Sequence, residues 1–427
     1  MRRTDVARVS NPPKIGMVHK ILLRRRFIDP ILLSVLVACF PIKLGIDMVL
    51  LAFFIGSGIY LIAVGHGSRR LIDRDYATAS LCYASVALLI GVYHGNIAEN
   101  IRWIGLPLYF AVGVPLFTGF VLIKDPLRQI ALGARVGLLL TFCLAIYESL
   151  AGISRIGLGG NAANAAFVTC VIAVLARFTA KNSPIYLPNT RAWFYVAIVP
   201  VIMTGTRSVL PVFAIAALVD VINLRGELLS EMRKLTRRRL IVLGLTCLTV
   251  IIATTYKTSD LLITRFENTI EEMDNLIAAP DGHITGLDMR VALWKGALEI
   301  FYEHPILGVG ASESMQQIKQ GIPASQREIY EEFVHVHFFV LDELRDRGGI
   351  GFIFLIGFFA IVFKKAIKGS NKDVQANMII FLCVLVLYGS LHGMLLGDRN
   401  VAAITIVFVG VLATQRRAVC GRRVAKI

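Results

Sequence analysis

Apolar runs close to the length of a membrane crossing alternate with short polar junctions along most of the chain. They fall at 28–44, 46–65, 77–93, 102–123, 130–151, 162–179, 192–205, 208–223, 239–256, 334–363, 376–397 and 400–415. About 20 apolar residues wound as a helix cross a hydrocarbon core of roughly 30 Å. The pattern therefore predicts an all-α polytopic membrane protein with about 12 transmembrane helices. Spans 192–205 and 208–223 are short and separated by Thr206 and Arg207 alone, so they can also be read as one broken helix.

One long stretch breaks the alternation, residues 257–333 between the ninth and tenth spans. It holds 13 Asp and Glu against six Lys and Arg. Helices are expected at 260–278 and 288–303. In the second, Val291, Trp294, Leu298 and Phe301 recur at helical spacing, and His304-Pro305 ends it. The following Leu307-Gly308-Val309-Gly310-Ala311 is read as a plain turn, because a GxG without a preceding strand is a weak phosphate signal.

Composition agrees with lipid as the solvent: 56% of the residues are hydrophobic and 17% charged, where a soluble domain carries about 25% charged. The net charge of +16 does not indicate nucleic acid, because the basic residues sit at alternate junctions. Segments 1–26, 66–76, 124–135, 177–191, 224–239, 364–373 and 415–427 hold most of the 45 Lys and Arg, which is the signature of membrane orientation. Both termini are expected on the cytoplasmic side of a bacterial inner membrane, as a basic segment 1–26 and a basic tail 416–427. Helices one to nine then occupy 27–256, helices ten to twelve occupy 334–415, and 257–333 forms a periplasmic loop. The first span is expected to be a retained helix, with no small-residue cleavage site behind it. Six of the seven cysteines fall within predicted spans and Cys420 in the tail, so no disulfide is expected.

Candidate chemistry gathers at the tenth span, in Phe333-Val334-His335-Val336-His337-Phe338-Phe339. If this stretch is helical, His337 shares a face with Leu341, Leu344 and Gly348, whereas His335 aligns with Asp342 and Asp346. As a strand, the two histidines would share a face and an HxH metal site is conceivable, but no third ligand is suggested nearby. Taken alone, a histidine on an apolar stripe is more often a buried, hydrogen-bonded residue than a base. Arg399, beside Asp398, reads as a local pair.

The order of these residues resembles the O-antigen ligase family and its wider group of ligases and polymerases. The family motif is a His, usually followed by Asn, Ser or Gln, then nine residues and GxxG. Here it reads His337, Phe338, nine residues, Gly348 and Gly351. Phe338 departs from the polar residue expected there. An Arg at an external junction, Arg207 in Thr204-Gly205-Thr206-Arg207-Ser208, and an Arg opening a loop helix, Arg290, complete the resemblance, as does the layout of twelve helices with one large loop. Gly348, Gly349 and Gly351 are expected to serve close packing, ahead of a role in relaxing the helix beneath His337.

The resemblance implies a glycosyltransferase of lipopolysaccharide biosynthesis. It would move a glycan from an undecaprenyl-pyrophosphate carrier to a sugar hydroxyl of lipid A-core on the periplasmic face, with inversion and without metal or cofactor. Guanidinium groups bind pyrophosphate oxygens through paired hydrogen bonds, which assigns Arg207 and Arg290 to the leaving group, with Arg265 a further contact. Imidazole suits proton acceptance near neutrality, which makes His337 the base. Without the family pattern, Arg207 would read as a snorkelling membrane-edge arginine and Arg290 as a solvated loop residue. Two other readings stand beside this one. A polymerase would extend a second carrier-linked glycan with the same donor chemistry. A transporter would do no chemistry, but neither duplicated halves nor several intramembrane acidic residues are evident.

Overall fold

The computed structural model describes residues 17–64, 72–95, 97–153, 155–180, 182–234, 286–324 and 326–424. Among these, regular structure is helical throughout. The chain runs α1 (Met17–Cys39), α2 (Ile46–Val64), α3 (Arg74–Tyr93), α4 (Ile97–Val121), α5 (Pro126–Leu150) and α6 (Ala162–Arg177). The broken pair α7 (Trp193–Val196) and α8 (Ile198–Met203) precedes α9 (Pro211–Lys234). Next come α10 (Gly286–Glu303) and α11 (Ala311–Gly321), then α12 (Phe339–Ile367), α13 (Lys372–Gly389) and α14 (Asp398–Val424). The predicted span 239–256, the predicted helix 260–278 and Arg265 lie outside the described residues.

Polar side chains start several helices where the hydropathy pattern begins. Asp73 accepts from the Tyr76 N–H at 3.1 Å, Asn161 from Ala163 at 2.8 Å and Asn371 from Val374 at 2.8 Å, each supplying an acceptor that the first helical turn lacks. Five helices are long and apolar enough to cross a membrane, spanning Ile46–Ala63, Arg74–Tyr93, Pro126–Leu150, Phe339–Ile367 and Lys372–Gly389. Shorter apolar helices cover Ile28–Cys39, Gly105–Val121, Ala162–Arg177, Trp193–Met203 and Pro211–Ile222.

Helix α14 is the axis of the bundle. From Val401 to Ala413 its side chains are almost entirely buried, packed against α4, α6 and α5. Small residues permit the tightest crossings. A Cβ at Gly133 of α5 would stand 2.2 Å from the Ser34 carbonyl oxygen of α1, and one at Gly137 would stand 2.9 Å from that of Ala38.

Several of the described junctions with excess basic residues meet one another at one end of the bundle. Lys365 pairs with Asp73 and Asp75, Thr179 bonds Asp373, and Arg417 caps the carbonyls of Val121, Leu122 and Ile123. Buried Arg177 is held by Asp220 at 2.6 Å and by Asn377 at 2.9 Å. The remaining junctions meet at the other end, where Arg399 bonds Asp47 at 2.6 Å and the Ile42 carbonyl at 3.1 Å. The expected local pairing of Arg399 with Asp398 is thus replaced by a bridge to the first turn of α2, whose buried Asp47 carboxylate needs a cation more than an exposed Asp398 does.

Three predicted spans change shape. The span 334–363 starts only at Phe339, with 334–338 non-helical. The span 376–397 ends at Gly389, after which 390–397 turns through a short 3-10 segment, Met394–Leu396. The span 192–205 is broken into α7 and α8, and at about 1.5 Å per residue its helical part, Trp193–Met203, is too short to cross a bilayer by itself.

Candidate functional site

The described part of the large loop has its own small core of Leu293, Ala297, Ile300, Val309, Met315, Ile318, Ile322, Tyr330, Val336 and Leu341, separate from the main core of the bundle. Val336 belongs to this core. Burying it there, and not in lipid, draws residues 334–338 out of the helix to which their hydropathy would assign them.

Three contacts then set the flanking histidines. The Val336 N–H donates to Asp342 Oδ1 at 3.0 Å, the Val336 carbonyl accepts from Trp294 Nε1–H at 2.9 Å, and the His337 N–H donates to His335 Nδ1 at 3.0 Å. His337 is left at φ 59°, a left-handed backbone that costs a non-glycine residue free energy and is characteristic of functional positions. The His335 and His337 rings stand 4.1 Å apart between centroids. The expectation that a helix would separate the two histidines is therefore corrected: the stretch is not helical and it pairs them. Because His335 Nδ1 accepts a hydrogen bond, the proton of its neutral ring is assigned to Nε2.

A third histidine joins from the α13–α14 connection. His392 lies 6.4 Å from His337 and stacks on Tyr388 at 4.7 Å. Gly393 beside it lets His335 approach, since a Cβ there would be 3.1 Å from the imidazole. Among the described residues no group of three or more His, Cys, Asp or Glu is placed to hold a metal ion.

Arg290, in the first turns of α10, lies close enough to act on both inner rings. Burial, then His335, then the Arg290 charge hold the His337 pKa down at about 3. Burial, then Arg290, then the neighbouring histidines and Arg155 hold His392 at about 3. Both are neutral imidazoles near pH 7. His337 Nδ1 is buried and has no hydrogen-bond partner among the described residues.

Arg155 ties in the remaining arginine. Its Nε donates to the Thr204 carbonyl at 3.2 Å, and the Ile156 N–H donates to the Met203 carbonyl at 3.3 Å. These bonds fix the turn Thr204–Leu210 that carries the exposed Arg207. The buried hydroxyls of Thr206 and Ser208 on that turn have no partner among the described residues. Arg290 thus lies within electrostatic reach of His337, and Arg207 sits on a turn bonded to Arg155, whose charge acts on His392.

Beneath the histidines, the first turns of α12 hold a charged cluster. Arg345 pairs with Asp342 at 3.0 Å and Asp346 at 3.3 Å, and donates to Ser314 at 2.9 Å. Arg347 pairs with Glu343 at 2.6 Å, which also accepts from Tyr83 at 3.2 Å. Gly348 then kinks the helix at φ 62°, ψ −166°. A Cβ at Gly348 would meet the Ile306 carbonyl at 2.4 Å. Gly348 thus packs closely on the 305–310 segment as well as bending α12. The freed backbone groups are used: Val309 and Gly310 N–H donate to the Arg345 and Asp346 carbonyls, and Gly349 and Ile350 N–H to Pro305 and Ile306. The Gly308–Gly310 turn therefore commits the Val309 and Gly310 amides to α12, as the plain-turn reading has it. Gly351 leaves room for Arg347, whose Cβ would be 2.3 Å from a methyl there.

Phe338, the departure from the family motif, packs edge-on against Trp294 at 5.9 Å. An aromatic contact to the loop core stands where a polar side chain is expected. Sequence reasoning missed Arg155, His392 and the structural use of Asp342. His392-Gly393 does interrupt an apolar run, which was the available signal.

A family model described as O-antigen ligase matches residues 192–356. That range contains Arg207, Arg265, Arg290, His337, Gly348 and Gly351, while Arg155 and His392 lie outside it. Comparison with curated proteins gives no match. The O-antigen ligase signature, on a bundle of apolar helices, indicates membrane glycosyl transfer of the ligase or polymerase type, between a lipid-linked polysaccharide and a lipid acceptor.

Proposed function

We propose, with the O-antigen ligase match as premise, that this protein is a ligase that transfers a glycan from undecaprenyl-pyrophosphate to a sugar hydroxyl of lipid A-core at the periplasmic face of the inner membrane. The observation that carries the reading is a neutral His337 whose buried Nδ1 has no partner among the described residues, within electrostatic reach of Arg290.

The acceptor oxygen attacks the anomeric carbon while the bond from that carbon to pyrophosphate breaks. The bonding pair leaves with the pyrophosphate oxygen, and the acceptor proton passes to His337 Nδ1. Attack opposite the leaving group inverts the anomeric centre. Arg290 and Arg207 bind the pyrophosphate, and its negative charge offsets the cation that depresses the imidazole. His337 thereby becomes a stronger base when donor is bound. Pyrophosphate leaves readily once its charge is met by fixed guanidinium groups, so the proposal needs neither metal nor cofactor. Arg265 would add a further phosphate contact.

Transfer in liposomes tests this. Purified protein is given undecaprenyl-pyrophosphate-linked glycan, lipid A-core and EDTA, and each lipid is followed. Glycan on lipid A-core that survives chelation and is lost in His337→Ala is the expected result. Longer carrier-linked chains would identify a polymerase, and an active His337→Ala protein would remove His337 from the chemistry.

A further inference from the structure

The basic end of the bundle carries a second cavity, away from the histidines, of about 1280 Å³ between α3, α12 and the end of α14. Its apolar part is lined by Ala79, Cys82, Ile353, Phe354, Gly357 and Ile361, and its polar mouth includes Lys364, Lys365, Lys368 and Arg416. At 100° per residue, Ile353, Gly357, Ile361 and Lys364 fall within one 80° face of α12, and Lys368 caps the end of that helix. The groove thus grades along one helix face from apolar to cationic.

Two features leave this face without a protein occupant among the described residues. Ile353 is 68% exposed, and a Cβ at Gly357 would meet nothing within 4 Å. A glycine inside a helix costs about 1 kcal/mol against alanine, and among the described residues no helix packs here to use the space. At the mouth, Lys365 is committed to Asp73 and Asp75, but Lys364 and Lys368 are exposed and make no ion pair among the described residues. Counting Asp73 and Asp75, the charged groups at the mouth leave a cationic excess.

We propose that this groove binds a phospholipid with an anionic headgroup, one acyl chain lying over Gly357 between α3 and α12 and the phosphate held by Lys364 and Lys368. Charge selects the lipid: a zwitterionic headgroup brings its own cation to a mouth that is already cationic, whereas phosphatidylglycerol brings net negative charge. The site is independent of glycan transfer.

Native mass spectrometry of the full chain released from nanodiscs containing equal phosphatidylglycerol and phosphatidylethanolamine tests the proposal. Wild type should retain phosphatidylglycerol preferentially. The double variant Lys364→Gln, Lys368→Gln should weaken that retention roughly 30-fold, the effect of two cations near an anionic headgroup. Gly357→Phe should reduce both lipids by filling the groove. His337→Ala should bind as wild type does, so failure of the catalytic reading leaves this one standing. Equal retention of the two lipids by wild type, or unchanged phosphatidylglycerol retention in the lysine variant, would overturn it.

Discussion

Trp294 and Val336 are joined by a hydrogen bond from the indole Nε1–H to the main-chain carbonyl at 2.9 Å, which couples the helix carrying Arg290 to the loop carrying His337. Arg290 lies four residues before Trp294, one helical turn away on the same face. Trp294→Phe should keep the ring's packing and lose this bond. If the bond aligns the two groups, transfer slows about tenfold for a loss of roughly 1–1.5 kcal/mol, with little change in thermal stability. An unchanged kcat with lowered stability would assign Trp294 to the loop core alone.

Protonation of His337 gives a prediction with a definite sign. Its pKa is lowered to about 3, below the ordinary value near 6.5, so the imidazole of the free protein is neutral throughout the physiological range. The profile of kcat/KM, which reports the free enzyme, should therefore show no acid limb from His337 between pH 5 and 8, where an unperturbed base would give one near 6.5. Bound pyrophosphate should raise the His337 pKa, so an acid limb is expected in kcat at higher pH than in kcat/KM. Coincident limbs near 6.5 in both profiles would contradict the geometry.

The same shift makes stability depend on pH. Between about 3 and the unfolded value near 6.5, unfolded chains bind protons at His337 and His392 that the folded protein does not. Stability is therefore lost as pH falls through that window and is level with respect to these groups above it. His392→Gln should flatten the decline in melting temperature between pH 6.5 and 4.5. An equally steep decline in the variant would show that other groups set it.

Much of the bundle was legible because hydropathy has the period and length of its helices. The predicted 46–65 and 162–179 are observed at Ile46–Val64 and Ala162–Arg177. The pattern failed where an apolar residue is buried by protein instead of lipid. Phe333 to Leu341 reads as the start of a span, yet Val336 enters the loop core and its N–H is taken by Asp342. His337, Arg290 and Arg207 became candidates through motif order. Arg155 and His392 were not, because their proximity is created by connections far apart in sequence, and neither sits in the motif.

Asp342 separates charge from hydrogen bonding. The α12 cluster holds three carboxylates, Asp342, Glu343 and Asp346, against two guanidiniums, Arg345 and Arg347. Asp342→Asn removes the surplus negative charge, keeps an oxygen for the Val336 N–H and leaves Arg345 its contact with Asp346. Asp342→Ala strands that buried N–H, at a cost of about 1–3 kcal/mol. Transfer should survive largely intact in the Asn variant and fall at least severalfold in the Ala variant. Equal losses in both would show that the carboxylate charge, and not the acceptor, is what His337 requires.

Gly348 and Gly349 differ in what a methyl group would do. Gly348 has φ 62° and its Cβ would lie 2.4 Å from Ile306 carbonyl atoms, whereas at Gly349 the nearest atom is the Pro305 oxygen at 3.1 Å. Backbone strain at a positive φ is worth about 1–3 kcal/mol, and the Ile306 contact is with main chain that is itself bonded to Ile350. Gly348→Ala must therefore part the 305–310 segment from α12, releasing the amides of Val309 and Gly310 and loosening the floor under His337. It should lower the melting temperature and reduce transfer together, while Gly349→Ala should change both far less. If the two variants behaved alike, the glycines of the motif would be serving helix flexibility in general, and the kink at Gly348 would not be what holds the loop against the bundle.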